Sequence, residues 1–300
     1  RSSLLEVILP AVAVAAATAG LLTLIARRFK SPTGLQVWIA PLAVIAGMLA
    51  GNFYRRDFPY WSLENDRASL LPATIAVLLI GAIAEMLRPT GRPWISAIIH
   101  IAGALLGAFW LTPTDLLISR WLGITIAFVV VRSTFFALAR VWDAGTGRCG
   151  LALLSAIWGG AIAVTMLAFV HATSFFDLAT IFSASLFGAG IVGAMAQTPR
   201  NAAYAGAALF LPFLVFLGEH SSYTLIPIES FLLIALAPSL ALWALPELVG
   251  MLTCYGYCEA GRSGSAKEKY GYAALAILLL AIPLAIGVTL AAIYGSAPME

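Results

Sequence analysis

"WIAPLAVIAGMLAGNF", Trp38 to Phe53, returns fifty-six positions later as "WISAIIHIAGALLGAF", Trp94 to Phe109, with eight of the sixteen positions identical. Two helices of such apolar composition share about two positions by chance, so the stretch reads as one member of an internal repeat. The likeness continues upstream. "SPTGLQVW" precedes the first copy and "RPTGRPW" the second, while "LPAVAVAAATAGLL" from Leu9 opens like "LPATIAVLLIGAIA" from Leu71. A helical hairpin over about 4–53 is therefore expected to recur over about 66–109. Thr146-Gly147-Arg148 repeats Thr90-Gly91-Arg92, which extends the expectation to a third copy over about 115–170 on the turn alone.

At 61% hydrophobic and 10% charged residues, with a mean hydropathy of +0.96, the 300-residue chain lies far from soluble usage. Its apolar runs suit about 20 residues of helix apiece, the length that about 30 Å of hydrocarbon demands. The sequence predicts an all-α, polytopic integral membrane protein forming a single transmembrane domain. Ten spans are expected: about 4–26, 36–52, 70–87, 93–111, 116–142, 150–170, 177–196, 201–218, 226–253 and 270–294. Glu6 rather than a basic segment leads the first run, which is taken as a retained helix and not a secretory leader.

Basic residues gather in alternate loops, "ARRFKSPTG", "LRPTGRP", "ARVWDAGTGR", "TPRN" and "GRSGSAKEKY". The positive-inside rule makes these turns cytoplasmic, which puts both termini outside and predicts a bacterial inner (plasma) membrane. "RRDFPYWSLENDR", with three arginines on the opposite side, runs against that rule. An acid opens each odd-numbered helix, Glu6, Asp66, Asp115, Asp177 and Glu229, where it meets the positive end of a helix dipole. The arrangement expected is five successive hairpins of one orientation. Gly47 with Gly51, and Gly103 with Gly107, form Gly-x-x-x-Gly pairs that let backbones approach, because lipid supplies no hydrophobic drive between helices.

Costly side chains within spans are the candidates for function, since a charge at the bilayer centre costs about 2.5–3.5 kcal/mol on insertion scales. Arg132, Glu247, His100 and Glu85 fall in the predicted inner half and form the candidate intramembrane cluster, with an Arg132–Glu247 pair supported by His100. In the long outer loop, Tyr54, Arg55, Arg56, Tyr60 and Trp61 combine aromatics with arginine, the composition of interface hot spots, and are the candidate partner contacts.

The chemistry that the sequence does not support is equally instructive. His100 is the single histidine inside a predicted span, so no bis-histidine haem site can be drawn. Cys149, Cys254 and Cys258 fall at predicted cytoplasmic ends and lack a fourth ligand for a zinc site. No metal, no cofactor other than bound lipid, and no nucleic-acid partner is expected. Membrane lipids and other membrane protein subunits are the expected partners. The role expected first is a non-catalytic subunit or scaffold of a larger membrane assembly. A secondary transporter or channel for a small or lipophilic solute is the alternative, and a lipid-modifying enzyme ranks third because paired catalytic groups are missing.

Overall fold

The computed structural model describes residues 4–29, 36–54, 66–88, 93–112, 120–170, 173–220, 226–244 and 266–295. Those residues are helical almost throughout. When the π and 3-10 turns are counted with the helices they interrupt, the elements are α1 (Leu4–Arg28), α2 (Ile39–Tyr54), α3 (Asp66–Leu87), α4 (Pro93–Leu111) and α5 (Arg120–Trp142). They continue as α6 (150–168), α7 (Thr173–Ala196), α8 (Asn201–His220), α9 (Ile228–Ala244) and α10 (Ala266–Gly295). Eight of these are long and apolar enough to cross a bilayer. The chain is a multi-pass membrane protein.

The other two expected spans are shorter as described. Ile39–Phe53 is 15 residues, or about 23 Å at 1.5 Å per residue, because a turn at Val37 and Trp38 delays its start. Ile228–Leu240 is likewise short, and residues 245–265, in which the ninth span was expected to end, lie outside the described residues.

Close contacts fix the direction of each helix. On α1, Val7 and Ala11 pack with Ile181 and Ala184 of α7, and Val12 with Ala15 meets Gly188, so α1 and α7 run parallel. Gly47 faces Ser185 and Gly51 faces Ile181, which makes α2 antiparallel to both. The end of α3 reaches the start of α8 through a hydrogen bond from Asn201 to Glu85. The segment after α5 reaches the same point through Asp143 and Arg200. In the last hairpin Gly287 lies on Ile234 and Gly295 on Ile226, while Ala276 and Leu280 share a crevice with Trp142. The last residues of α1 and α3, the first residues of α2 and α4, and the segments 143–149 and 197–200 therefore lie at one end of the bundle.

The central element is α8. In the most apolar 18-residue stretch of α8, 89% of the residues are buried, against 22% in that of α1 and 28% in that of α10. Its opening "NAAYAGAAL" explains this: small residues let α3 lie close, with Gly81 against Ala202 and Ala205, and Gly206 against Leu78. Large side chains such as Leu5, Leu24, Trp121, Ile126 and Val129 stay exposed on the outside, as a lipid-facing surface requires.

The two repeated glycine pairs are used alike. A Cβ added to Gly47 would stand 2.7 Å from both the Ala11 carbonyl oxygen and Ser185 Oγ, and one on Gly51 would stand 2.7 Å from Ile181. One on Gly103 would stand 2.8 Å from Ile80, and one on Gly107 would stand 2.6 Å from Leu209. Each pair thus seats its hairpin partner, α1 or α3, or a helix of the following α7–α8 hairpin.

In α9 a proline is answered by a polar side chain. Pro238 has no N–H to offer the Ile234 carbonyl, and the Trp158 indole donates to that oxygen at 2.8 Å from a fully buried position. Trp158→Phe should cost about 1–2 kcal/mol by orphaning the carbonyl. Pro238→Ala in the same background restores an N–H and should recover most of that loss in detergent unfolding. If the two changes simply add, the Ile234 oxygen is not what Trp158 serves.

Candidate functional site

The polar groups described within the bundle concentrate where α8 begins. The chain leaves α7 through Gln197, which takes the left-handed conformation (φ 59°) just past the last turn. After Pro199 it starts α8, and the Arg200 carbonyl accepts from the backbone N–H groups of Ala203 at 2.9 Å and Tyr204 at 3.2 Å. Arg200 and Asn201 are neighbours in sequence but reach toward different acids.

On one side, Asn201 Nδ2 donates to Glu85 Oε2 at 3.1 Å. The other carboxylate oxygen lies 3.1 Å from His100 Nε2, and Arg88 Nη1 is 3.2 Å from Oε2. Glu85 and His100 are nearly buried side chains, whereas Arg88 is 45% exposed. One carboxylate thereby joins α3, α4 and α8.

On the other side, Arg200 Nη2 is 3.0 Å from Asp143 Oδ1, and the Tyr204 hydroxyl donates to the same oxygen at 2.9 Å. Tyr204 is fully buried. Asp143 is placed by a π turn, Ala137–Trp142, that ends α5. The turn that follows needs glycine at Gly147, with φ 59° and ψ −134°. It is closed by Trp142 Nε1 donating to the Gly150 carbonyl and Thr146 Oγ1 donating to the Trp142 carbonyl, both at 2.7 Å. With its amide oxygen turned to Arg148, Gln197 accepts from both guanidinium nitrogens at 3.2 and 3.3 Å.

Two acids from separate hairpins therefore face the N-terminus of the central helix, where the aligned peptide dipoles favour negative charge. Burial pushes the Asp143 carboxyl above the usual aspartate range, and Arg200 with Tyr204 draws it partway back. For an acid whose folded value is raised, the contribution to stability is complete below the unfolded value and is lost as pH rises through the folded one. Wild-type stability should thus show a decline through the acidic range that Asp143→Asn lacks. Identical pH profiles for the two proteins in detergent unfolding would show that Asp143 titrates as it does in the unfolded chain.

Of the four residues expected to cluster, Glu85 and His100 are bonded directly. Arg132 is near them but not joined to the carboxylate. Its guanidinium carbon lies 5.6 Å from the Phe135 ring centroid, and that ring lies 4.6 Å from the His100 ring. Arg132, Phe135 and His100 line one crevice with Ile80, Gly103 and Val131. Next to it, Ser239 of α9 bonds Thr134 at 2.8 Å and Ser133 at 3.2 Å.

Glu247, Cys254 and Cys258 lie outside the described residues, as do Arg55, Arg56, Tyr60, Trp61 and the side chain of Tyr54. Cys149 is a free, exposed thiol. Sequence reasoning missed Asp143, Arg200, Asn201 and Tyr204. An acid and an arginine in two turns assigned to the same membrane face were the available signal. No protein-family model matches the chain, and no curated protein matches it in sequence.

Proposed function

We propose that this multi-pass protein is a non-catalytic subunit or scaffold of a larger membrane assembly. The observation that carries the reading is the use made of polar groups within the bundle and at its end. Glu85 and Asp143, from separate hairpins, bind adjacent residues of the central helix, and Trp158, Ser239 and Ser230 likewise bond one helix to another. Such bonds hold a framework in lipid, where small-residue faces and interhelical hydrogen bonds replace the hydrophobic drive. The role fits an apolar bundle with an arginine-rich aromatic loop at 53–61 suited to contact other subunits. Purification from the native membrane in mild detergent should bring down stoichiometric companions. A monodisperse lone protomer stabilised by a small solute would replace this reading with transport.

A secondary transporter or channel has one observation in its favour, a single crevice lined by Arg132 and by His100, whose ring bonds Glu85. The basic turns are proposed to be cytoplasmic in a bacterial inner membrane. A membrane-impermeant thiol reagent should then reach Cys149, in a Cys254→Ser, Cys258→Ser background, from inverted vesicles and not from intact cells. Labelling from intact cells would reverse the orientation.

A further inference from the structure

Of the three arginines in the span Arg120–Trp142, Arg120 and Arg140 stand at its ends, where headgroups and water take up the charge. Arg132 stands at its middle. It follows Arg120 by twelve residues and precedes Trp142 by ten, about 18 Å and about 15 Å at 1.5 Å per residue. Snorkelling serves cations near span ends, so a guanidinium in mid-span needs its counter-charge at its own depth.

The described residues offer none. The Arg132 guanidinium carbon lies 5.6 Å from the Phe135 ring centroid, and the side chain makes no hydrogen bond or ion pair among the described residues. Glu85 is committed to His100, Asn201 and Arg88. The crevice beside Arg132 has room for about one water and supplies no charge.

The opposite edge of the residue belongs to an exposed face. Trp121, Thr125, Val129, Arg132 and Phe136 recur at spacings of three and four and so line one side of α5. Trp121 is 75% exposed and Val129 52%, while Arg132 and Phe136 are partly exposed. The Thr125 hydroxyl donates to the Trp121 carbonyl at 2.8 Å, and Ser133, beside Arg132, is bonded to Val130 and Ser239. Along this face the arginine alone keeps uncommitted donors among the described residues.

An apolar strip with an unused cation at half depth is complementary to one kind of surface. Acyl chains give it contact without charge, and lipid phosphates lie at the ends of the span. A carboxylate on a second transmembrane helix supplies both, because the helix covers the strip and the guanidinium fork takes two oxygens at once. That carboxylate is itself costly alone in hydrocarbon, so pairing relieves both charges. A second copy of this chain lacks such a group among its described residues: Glu6, Glu85, Asp177, Glu219 and Glu229 all lie within five residues of a helix end.

We propose that the exposed face of α5 docks a transmembrane helix of a partner subunit that carries an aspartate or glutamate at mid-depth, its carboxylate on Arg132. The inference rests on the subunit reading and names the chemistry of the companion.

Two measurements on the full chain test it. In neutral bicelles the protein is titrated with labelled polyleucine transmembrane peptides carrying a central Asp, a central Asn, a terminal Asp or no polar residue. Wild type should bind the central-Asp peptide at least tenfold more tightly than the other three. Arg132→Gln should erase the preference, Arg132→Lys should keep part of it, and Arg140→Gln should leave it unchanged. Equal binding of the four peptides by wild type overturns the proposal, whether or not Arg132→Gln folds. So does a preference that survives in an Arg132→Gln protein of normal helix content. A preference seen only in Glu247→Gln overturns it too, by assigning Arg132 to that carboxylate within the chain. In purification from the native membrane, a companion with an acid in mid-span should be lost from Arg132→Glu and regained when that acid is changed to Lys. Companions that all stay with Arg132→Glu overturn the docking proposal and leave the subunit reading standing, whereas a lone wild-type protomer overturns both. Self-association of wild type that disappears in Arg132→Gln would seat a second copy on the face, against the proposal.

Discussion

Glu85→Ala should destabilise the folded protein by about 3 kcal/mol, the cost of breaking a buried charged pair from one side. The prediction rests on what stays behind. His100 keeps a nearly buried imidazole with no acceptor at 3.1 Å, and Asn201 loses the oxygen that takes its amide N–H at the start of the most buried helix. Arg88, at 45% exposure, can turn to water and adds little. Interhelical hydrogen bonds within membranes average about 0.6 kcal/mol in double-mutant cycles, so three independent bonds would come to no more than about 2 kcal/mol. The excess over that sum is the penalty of orphaned groups. It makes a second outcome checkable. His100→Ala should cost much less in the Glu85→Ala background than alone, with a coupling of at least about 1 kcal/mol, because the partner it would lose is already gone. Reversible unfolding in micelles measures both. Glu85→Ala within about 1 kcal/mol of wild type would mean that the carboxylate is solvated in the bilayer and holds nothing together.

The contrast between Glu85 and Arg132 shows where sequence reading stopped. Bilayer thickness converts apolar length into spans, so most helices could be bounded to within a few residues, and α3, α4 and α8 were read almost as they stand. Depth along a span could also be counted, which put His100, Arg132 and Glu85 in the same half. What counting cannot supply is the angle about each helix axis. A soluble helix declares its inner face through a polar outer one, but helices apolar on every side have no such mark. His100 was therefore assigned to Arg132 by depth, whereas the structure turns it to Glu85 of its own hairpin. Nor does any residue pattern announce the π turns at Ala137–Trp142 and Ser155–Gly159, within which Trp142 bonds the Gly150 carbonyl and Trp158 the Ile234 carbonyl. The Asp143–Arg200 pair joins two basic turns far apart in sequence, and becomes visible only once those turns are known to share an end.

Gly190→Ala should be among the most damaging single methyl additions at the described glycines. A Cβ there would stand 2.7 Å from the Ala152 backbone nitrogen, 3.1 Å from its Cα and 3.1 Å from the Leu151 carbonyl carbon. Backbone atoms cannot rotate aside as the end of a side chain can, so α7 and α6 must part. Two residues earlier, a Cβ on Gly188 would stand 2.5 Å from the Val12 carbonyl oxygen and 3.2 Å from the Ala16 nitrogen. Residues two apart on a helix face opposite ways, so α7 is held between α1 and α6 by backbone contact on both sides. Overpacking costs about 1–3 kcal/mol where side chains can yield, and a backbone limit places Gly190→Ala at or above about 3 kcal/mol. Gly188→Ala should come close to it. Gly107, whose added Cβ would meet the movable end of Leu209, should cost less despite the equally short distance. Gly160, with nothing within 4 Å, provides the control: Gly160→Ala should be neutral or stabilising by up to about 1 kcal/mol through helix propensity alone. If all four alanines proved equally mild in micelle unfolding, the helices would be packed through side chains that can give way, and the glycine faces would not set the spacing of the bundle.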